Sequence, residues 1–223
     1  MTPPPVKVDT QEVAKGIFYL TGGSHHSVAA DFGAYIVLVE CPLSEERALA
    51  VIDAAKKAIP KKPIRYVVNT HHHFDHTGGL RACMAEGATI LTQTANKPYY
   101  EKLASLPHTI RPDSLAKSPK KAIVEAIDDK RVLTGGGHTM EIYRVQGSNH
   151  ADTMMIAYFP KEKILVDADI YTPAAANMTP PPPTKEMQNL DANLKRLKLD
   201  VQQITPIHGR LVTLADFQKA LGQ

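Results

Sequence analysis

The sequence has few cysteines, no long apolar run and no strong excess of one charge. No stretch reaches the roughly 18 consecutive apolar residues that a membrane-spanning helix needs. There is no Cys-x-x-Cys pair, so a bound metal would be held by nitrogen and oxygen atoms. There is also no Gly-x-Ser-x-Gly, the turn that exposes the nucleophile in one large class of serine hydrolases. These absences argue against a helical membrane protein, a cysteine-based zinc site and a hydrolase of that class.

The two cysteines are too few for a disulfide framework. Cys41 follows an apolar, strand-like run, and Cys83 lies in a segment with helical character. We expect two small buried thiols, with a disulfide between them as the alternative.

The charge distribution gives no indication of a nucleic-acid partner. The formal net charge is only +3, and the lysines and arginines are spread along the chain rather than collected in one stretch. A chain of 223 residues is ample for one packed domain, which we place at residues 1–223. We expect a globular protein that acts on a small-molecule substrate, without a nucleic-acid or membrane partner. The sequence gives no indication of its oligomeric state.

The N-terminal segment does not resemble a signal peptide. Residues 1–5, MTPPP, lack the basic start and apolar core of such a leader. The sequence as written therefore predicts a cytoplasmic protein, although a periplasmic or secreted chain whose leader had been removed would look the same.

Apolar runs and helical periods alternate along the chain. Each half gives several strands and then a helix, an order that favours two facing sheets with helices outside. The strands are predicted at residues 13–20, 34–40, 64–69, 88–91, 122–127, 131–133, 139–145, 154–159, 163–166 and 201–206. The helices are predicted at residues 45–59, 79–86, 94–106 and 186–199, with a last helix capped by Thr213.

The run THHHFDHTGGL at residues 70–80 is the most informative segment, and it follows a strand-like apolar run. In an extended chain alternate side chains point the same way, so His71, His73 and Asp75 would face one pocket. His76 can join them where the chain turns into a helix. Four candidate ligands in six residues cover only one side of an ion, so we expect further ligands from elsewhere.

Three distant residues are suited to complete such a site. His150, Asp169 and His208 each lie after an apolar strand, a common place for site residues on a sheet scaffold. Asp167, on the same side of its strand as Asp169, is the alternative carboxylate. Burying this many imidazoles and carboxylates without a cation would cost much free energy. The pattern therefore predicts a metal site.

The order and spacing of these residues resemble the metallo-beta-lactamase superfamily. The His-x-His-x-Asp-His motif at residues 71–76 is highly specific, and the three distant ligands follow in the family's order. The resemblance covers nearly the whole chain. It implies an α/β fold of the αβ/βα four-layer sandwich type, in which two facing mixed sheets have helices outside. The two pseudo-symmetric halves would be roughly residues 1–110 and 111–223.

The resemblance also implies a hydrolase with two Zn²⁺ ions, for which iron and manganese are alternatives. The first zinc would be held by His71, His73 and His150, the second by Asp75, His76 and His208, and both by a bridging Asp169. A hydroxide between the two metals would attack the substrate. Asp75 would also orient this nucleophile or accept its proton, and is therefore a catalytic candidate.

Asp169 indicates which branch of the superfamily the chain resembles. True beta-lactamases carry Cys or Ser at this place, whereas a bridging Asp resembles the lactonase, thioesterase and organophosphate-hydrolase branches. The resemblance thus implies cleavage of an ester, lactone or related acyl bond. Beta-lactam hydrolysis is the alternative, and a non-hydrolytic di-metal or redox protein is a further one. Tyr171 resembles a lactonase tyrosine that binds the substrate carbonyl, which makes it a second catalytic candidate.

Several polar residues near the motifs have less certain roles. Glu40 stands at the end of a strand where many members carry Asp-Thr-Gly, and it either orients a ligating histidine or is a surface acid. His25 and His26 are expected in an exposed hairpin loop, with a place at the mouth of the site as the alternative. His72 faces away from the metals and is expected either to support a metal ligand from behind or to be structural, whereas His108 and His138 are expected to be structural.

The loop at residues 171–184 is rich in alanine and proline. Loops of this length are often functional. Met178 and the run Pro180–Pro183 could form an apolar wall over the pocket, which would favour a hydrophobic acyl or aromatic substrate.

Overall fold

The computed structural model describes residues 6–178 and 182–223, and its strands form two sheets. The first sheet has seven strands in chain order: β1 (Asp9–Ala14), β2 (Ile17–Thr21), β3 (Ser27–Asp31), β4 (Ile36–Val39), β5 (Ile64–Val68), β6 (Thr89–Gln93) and β7 (Ile123–Ile127). β1 to β4 are antiparallel, whereas β4 to β7 are parallel.

The second sheet has six strands and is also mixed. These strands are β8 (Lys130–Gly135), β9 (His138–Arg144), β10 (Met155–Phe159), β11 (Ile164–Asp167), β12 (Gln203–Pro206) and β13 (Val212–Thr213). Their spatial order is β13-β12-β11-β10-β9-β8. Only β11 and β12 are parallel neighbours.

Helices cover the outer face of each sheet. They are α1 (Glu45–Ala58), α2 (Phe74–Thr77), α3 (Leu80–Ala85), α4 (Lys97–Ser105), α5 (Ser114–Lys117), α6 (Lys185–Leu197) and α7 (Leu214–Ala220), with a 3₁₀ turn at Thr94–Asn96. Among the described residues, none of these helices has the length and apolar content needed to cross a membrane.

The buried side chains form three layers of apolar packing. Along β4, Leu38 packs in the cluster shared with α1 and α3, whereas its neighbours Val37 and Val39 pack in the cluster between the two sheets. A third cluster lies between the second sheet and helices α6 and α7 and includes Leu190 and Phe217. This alternation buries both faces of each sheet. The predicted four-layer αβ/βα sandwich is confirmed.

Local sequence signals explain where the main helices begin. The Ser44 side chain accepts a hydrogen bond from the backbone of Arg47 at the start of α1, and Thr184 does the same for Met187 in α6. Thr213 and Asp216 form a full capping box at α7. The predicted last helix and its cap are thus present.

The N-terminal strands differ from the sequence prediction. Residues 13–20 were expected to form one strand, but a turn at Lys15 and Gly16 divides β1 from β2. Gly16 has a φ of +74°, a left-handed conformation that glycine adopts without strain. The short strand β3 was not predicted at all.

The boundary between the two sheets lies after Ile127, since β7 pairs with β6 in the first sheet. The predicted halves divide earlier, near residue 110.

The expectation of two free thiols is wrong, since Cys41 and Cys83 form a disulfide. Their Cα atoms lie 6.9 Å apart, and 42 residues separate them along the chain. Cys41 follows β4, and Cys83 lies in α3, which packs against α1 on the same face of the sheet. Sequence spacing alone does not reveal this proximity, because it depends on how the helix packs.

Candidate metal centre

The candidate site lies where loops that follow strands of both sheets meet. The carbonyl of Thr70, just after β5, accepts a 2.8 Å hydrogen bond from the backbone of Met155 at the start of β10. The buried Asn69 donates from Nδ2 to the carbonyl of His76 at 3.0 Å. The loop that carries the histidine motif is therefore fixed to the second sheet and folded back onto its own helix, α2.

Asp169 lies at the centre of this site, after β11. Its Oδ2 lies 2.9 Å from His76 Nε2 and 3.0 Å from His71 Nε2. The same oxygen lies 3.1 Å from His150 Nε2, while Oδ1 lies 2.6 Å from His208 Nε2. The backbone of Asp169 has a φ of +62°, in the left-handed region that few non-glycine residues adopt.

The ligand-type side chains fall into two groups. In each group the candidate donor atoms all lie within 4.8 Å of one another. The first group consists of His71, His73, His150 and Asp169, and the second of His25, Asp75, His76 and His208. All seven predicted metal ligands are thus brought together, and His25 joins them.

The hydrogen bonds behind two of the rings show that cations fit this donor set. His76 Nδ1 lies 3.1 Å from Glu40 Oε2, and His208 Nδ1 lies 3.0 Å from the Ser24 carbonyl. A carboxylate and a carbonyl only accept, so each Nδ1 carries a proton, and in a neutral ring Nε2 then holds a lone pair. These lone pairs face the oxygens of Asp169. A divalent cation that binds imidazole and carboxylate would accept electron pairs both from these nitrogens and from the oxygens of Asp169.

The electrostatics of the site keep Asp169 ionised. Burial would raise the pKa of this carboxyl, but hydrogen bonds with His208, His71 and His76 lower the pKa far below its usual value. Burial also lowers the pKa of His76, yet the charge of Glu40 and the contact with Asp169 raise it to about 10. The surroundings of His76 therefore stabilise positive charge, whether it is a ring proton or a bound cation.

Asp75 is the more accessible of the two carboxylates. Its side chain is 28% exposed, against 15% for Asp169. Its Oδ2 lies 3.1 Å from His25 Nε2 and 3.7 Å from His76 Nε2. Burial raises the pKa of Asp75, but the hydrogen bond with His25 and the charge of His76 lower it further, so the net shift is downward. Asp75 is therefore ionised near neutral pH and able to accept a hydrogen bond.

Glu40 has the position of an orienting carboxylate and is no surface acid. Its side chain is fully buried. Oε1 accepts a 2.7 Å hydrogen bond from the backbone of Thr70, and Oε2 faces the ring of His76. The backbone φ of +66° places Glu40 in the left-handed region. This geometry fixes the ring orientation of His76, as carboxylates behind ligating histidines commonly do.

His25 and His26 correct the expectation of an exposed hairpin loop. They are only 7% and 6% exposed. His26 packs its ring edge against Tyr19 and contacts the carbonyl of Gly209 at 2.9 Å. His25 faces Asp75 instead. The only sequence signal for this arrangement was a pair of histidines in a turn, which does not show where the turn points.

Asp167 and Tyr171 lie beside the site but outside its two ligand groups. Asp167 is fully buried and accepts a 3.0 Å hydrogen bond from the backbone of Tyr171. Burial raises the pKa of Asp167 to about 7. The ring of Tyr171 packs 4.8 Å from that of Phe217, in the cluster below α6 and α7. The substrate contact that the resemblance implies for Tyr171 has no support in this geometry.

The remaining histidines belong to neither ligand group, although the ring of His72 packs 5.1 Å from that of His73. His72 contacts Thr153 at 3.3 Å. His138 pairs with Glu162 at 2.9 Å, and His108 lies 3.1 Å from Asp113.

Met178, in the loop predicted to form an apolar wall over the pocket, is 65% exposed. The predicted apolar wall also involves Pro180 and Pro181, which lie outside the described residues.

Comparison with known proteins agrees with this geometry. The sequence profile of the metallo-beta-lactamase superfamily matches residues 20–202. A metallo-beta-lactamase from Pontibacter korlensis superposes with a TM-score of 0.72 at 16% identity, covering 97% of this chain and 98% of that one. For a metallo-beta-lactamase from Pseudomonas aeruginosa in its mono-zinc form, the TM-score is 0.70 at 18% identity, with 99% and 96% covered. At these identities the likeness shows the fold.

Two alkylsulfatases are also similar to this chain. A stereoselective inverting sec-alkylsulfatase from Pseudomonas sp. superposes with a TM-score of 0.68 at 20% identity, covering 96% of this chain and 40% of that one. A linear primary-alkylsulfatase from Pseudomonas sp. is 30% identical over 106 residues, which are 47% of this chain. The chain spans only 15% of the length of that relative.

Proposed function

This chain belongs to the metallo-beta-lactamase superfamily of metal-dependent hydrolases, and from that premise we propose that it holds two zinc ions and cleaves a carboxylic ester, lactone or related acyl bond. The observation that carries the proposal is the position of Asp169, whose two oxygens contact imidazoles of both ligand groups. A carboxylate so placed can bridge two cations. Three imidazoles would complete the first position, and Asp75, His76 and His208 the second.

The protein's own groups support hydrolysis without a covalent enzyme intermediate. When bound, the cations would supply a water activated near neutral pH and positive charge beside the oxygen that gains negative charge. Asp75 is ionised and partly accessible, so it can accept a hydrogen bond from that water and orient it. Glu40 fixes the orientation of the His76 ring through a hydrogen bond at Nδ1, the ring nitrogen that would not bind the cation. No side chain is required as a nucleophile.

Beta-lactam hydrolysis is the weaker candidate. It would require the site to act with Asp169 where the true beta-lactamases carry Cys or Ser. The solved metallo-beta-lactamases share only 16% and 18% identity with this chain, which supports a common fold and not a common substrate. We therefore expect little or only promiscuous activity on beta-lactams.

A sulfate ester is a second candidate substrate, and one observation favours it. Nearly half of the chain matches a linear primary-alkylsulfatase at 30% identity. Hydrolysis of a carboxylic ester and of a sulfate ester both place growing negative charge beside the reacting centre, which a pair of cations can stabilise. The match covers a small part of that enzyme, so the sulfate ester ranks second.

The test compares initial rates on five substrates under identical conditions: an acyl lactone, an aryl acetate, a primary alkyl sulfate, a phosphotriester and a chromogenic cephalosporin. Metal content is measured on the same samples. We expect rapid, chelator-sensitive cleavage of the lactone or aryl acetate and two zinc ions per chain. Asp169→Asn should lower kcat/KM by at least about 100-fold, because it removes the charge shared by both positions.

Asp200→Asn is the matched control for the loss of one carboxylate. Asp200 is 71% exposed and pairs with Lys163 on the surface, so this variant should retain the full rate. If the cephalosporin were the best substrate, the argument from Asp169 would be wrong. If the alkyl sulfate alone were cleaved, the second candidate would replace the first.

A further inference from the structure

His25 lies among the groups that face the second cation position, although it is not part of the His-x-His-x-Asp-His motif. Its ring centroid lies 4.2 Å from that of His208 and 5.3 Å from that of His76. Its Nε2 lies 3.1 Å from Asp75 Oδ2. The donor atoms of these four residues all fall within 4.8 Å of one another. One ion can therefore reach all of them after small shifts of the side chains.

The loop that carries His25 is held from both sides. The guanidinium of Arg47, itself buried, donates a 2.9 Å hydrogen bond to the His25 carbonyl and a 3.3 Å bond to the Thr21 carbonyl. On the other side, the backbone of His26 donates to the carbonyl of Ile207 at 2.8 Å. Such anchoring at buried positions keeps the ring of His25 in the site.

The neighbour on the far side of the ring is compatible with cation binding at Nε2. Ser24 Oγ lies 2.8 Å from His25 Nδ1. A hydroxyl can accept a hydrogen bond from Nδ1 as well as donate one, so Ser24 is compatible with both neutral tautomers. In one of them Nε2–H donates to Asp75, and in the other the Nε2 lone pair can bind a cation. The Ser24 carbonyl also holds His208 Nδ1 at 3.0 Å. One residue thus orients two rings toward the same point.

The geometry points to His25 as a fourth protein ligand of the second cation, beside Asp75, His76 and His208. This inference rests on the proposed two-cation function. Three imidazoles and one carboxylate fill the four positions that zinc prefers, even before Asp169 is counted. The first group has three imidazoles and only the shared Asp169. The second position should therefore bind its zinc more tightly, and the first should be the position that exchanges and takes up water.

The test is a metal-binding measurement on purified full-length protein, with zinc and with cobalt. Zinc content is measured after dialysis against a series of buffered chelator concentrations, and visible absorption of the cobalt form reports the coordination number. The variants are His25→Ala and His25→Gln. Gln can keep a hydrogen bond to Asp75 but is a poor zinc ligand. Circular dichroism establishes that each variant is folded.

If His25 is a ligand, both variants should lose one zinc at chelator concentrations that leave the wild type with two. The fall in affinity should be roughly 10- to 100-fold or more, and the cobalt spectrum should change in both. His138→Ala is the matched control, because His138 is a largely buried histidine that pairs with Glu162 at 2.9 Å and belongs to neither ligand group. It should bind two zinc ions with wild-type affinity.

Two results would overturn the inference, and they differ in what else they affect. If His25→Gln kept both ions with wild-type affinity and an unchanged cobalt spectrum, His25 would only be a hydrogen-bond partner of Asp75. The proposed function would then still stand. If the wild type bound a single ion at saturation, the binuclear proposal itself would be wrong, and the assignment of His25 would fail with it.

Discussion

Glu40 and His76 are both fully buried, and Glu40 Oε2 lies 3.1 Å from His76 Nδ1. Because the other oxygen of Glu40 accepts from the backbone of Thr70, the carboxylate ties the motif loop and its ligand to β4. We predict that Glu40→Gln weakens zinc binding at the second position by roughly 10- to 100-fold, since the ring loses its charged partner. Zinc titration against a competing chromophoric chelator measures the change.

A second pair of the same kind provides the control. His138 and Glu162 lie 2.9 Å apart, and both side chains are 10% exposed, but they are not part of either ligand group. Glu162→Gln should leave zinc affinity unaltered. If the Glu40 and Glu162 variants lost equal zinc affinity, the loss would come from a general effect on folding and not from the orientation of His76.

The sequence could predict the ligands because they follow strong local signals. The motif at residues 71–76 has alternating ligand-type side chains after an apolar strand, and Asp169 and His208 follow β11 and β12 at the same edge of the second sheet. The order of elements likewise predicted the layers. Such signals are local in the chain, so one sequence is enough to read them.

For His25 and Glu40 the sequence left two alternatives open in each case, and only the structure decides between them. Both lie far from the motif in sequence, and their roles depend on how separate loops pack. Glu40 approaches His76 only because β4 and β5 are parallel neighbours. His25 reaches Asp75 only because buried Arg47 fixes its loop. The disulfide was only the alternative expectation for the same reason, since the packing of α3 against α1 brings Cys83 near Cys41.

The disulfide should contribute to stability by restricting the unfolded chain. It closes a loop across a sequence separation of 42 residues, which predicts a stabilisation of about 2–4 kcal/mol. The double variant Cys41→Ala/Cys83→Ala should therefore unfold at a lower urea concentration. Its free energy of unfolding should be lower than that of the wild type by about 2–4 kcal/mol. Thiol titration of the denatured wild type, with and without prior reduction, checks that the bond is formed. Free thiols in freshly purified protein would contradict the pairing.

Asp113 should make stability depend on acid pH. Arg81 donates to both oxygens of Asp113, from Nε to Oδ2 and from Nη2 to Oδ1 at 2.9 Å, and these hydrogen bonds outweigh burial and lower the pKa of Asp113 to about 2 from a usual 3.8. The folded state therefore binds this proton less readily than the unfolded state. The resulting stability is fully present above the unfolded pKa and is lost as pH falls from about 4 toward 2.

The variant Asp113→Asn isolates that charge, because an amide oxygen can still cap α5 at Ala116. At pH 7 it should be less stable than the wild type by about 1–2 kcal/mol in urea unfolding, and the difference should shrink near pH 3. Asp53→Asn removes a charge from an exposed pair, 63% accessible, and should change little at either pH. If the stability difference between the wild type and Asp113→Asn stayed constant with pH, it would not arise from the ionisation of Asp113.

Gly78 should be irreplaceable for steric reasons at the end of α2. A Cβ atom there would lie 2.1 Å from the carbonyl oxygen of Leu43, whose backbone N–H also binds the carbonyl of Asp75 at 2.7 Å. Gly78→Ala must push α2 and its ligands away, at a cost of about 1–3 kcal/mol, and should weaken zinc binding. Gly137→Ala adds a Cβ with no atom within 4 Å, but at a φ of +85° that strains the backbone. It should therefore lower stability without weakening zinc binding. Chelator competition and urea unfolding measure the two effects.

Tyr171 allows a direct choice between the resemblance and the structure. A lactonase-like role requires its hydroxyl to touch the substrate, but the ring is 5% exposed and packs against Phe217. We therefore predict that Tyr171→Phe keeps kcat and KM within about twofold on the best substrate, because it removes only the hydroxyl and retains the packing. Tyr171→Ala should lower the melting temperature, because it leaves a cavity beside Phe217. A tenfold or larger fall in kcat for the Phe variant would show that the loop at 171–178 rearranges to bring the hydroxyl into the site during turnover.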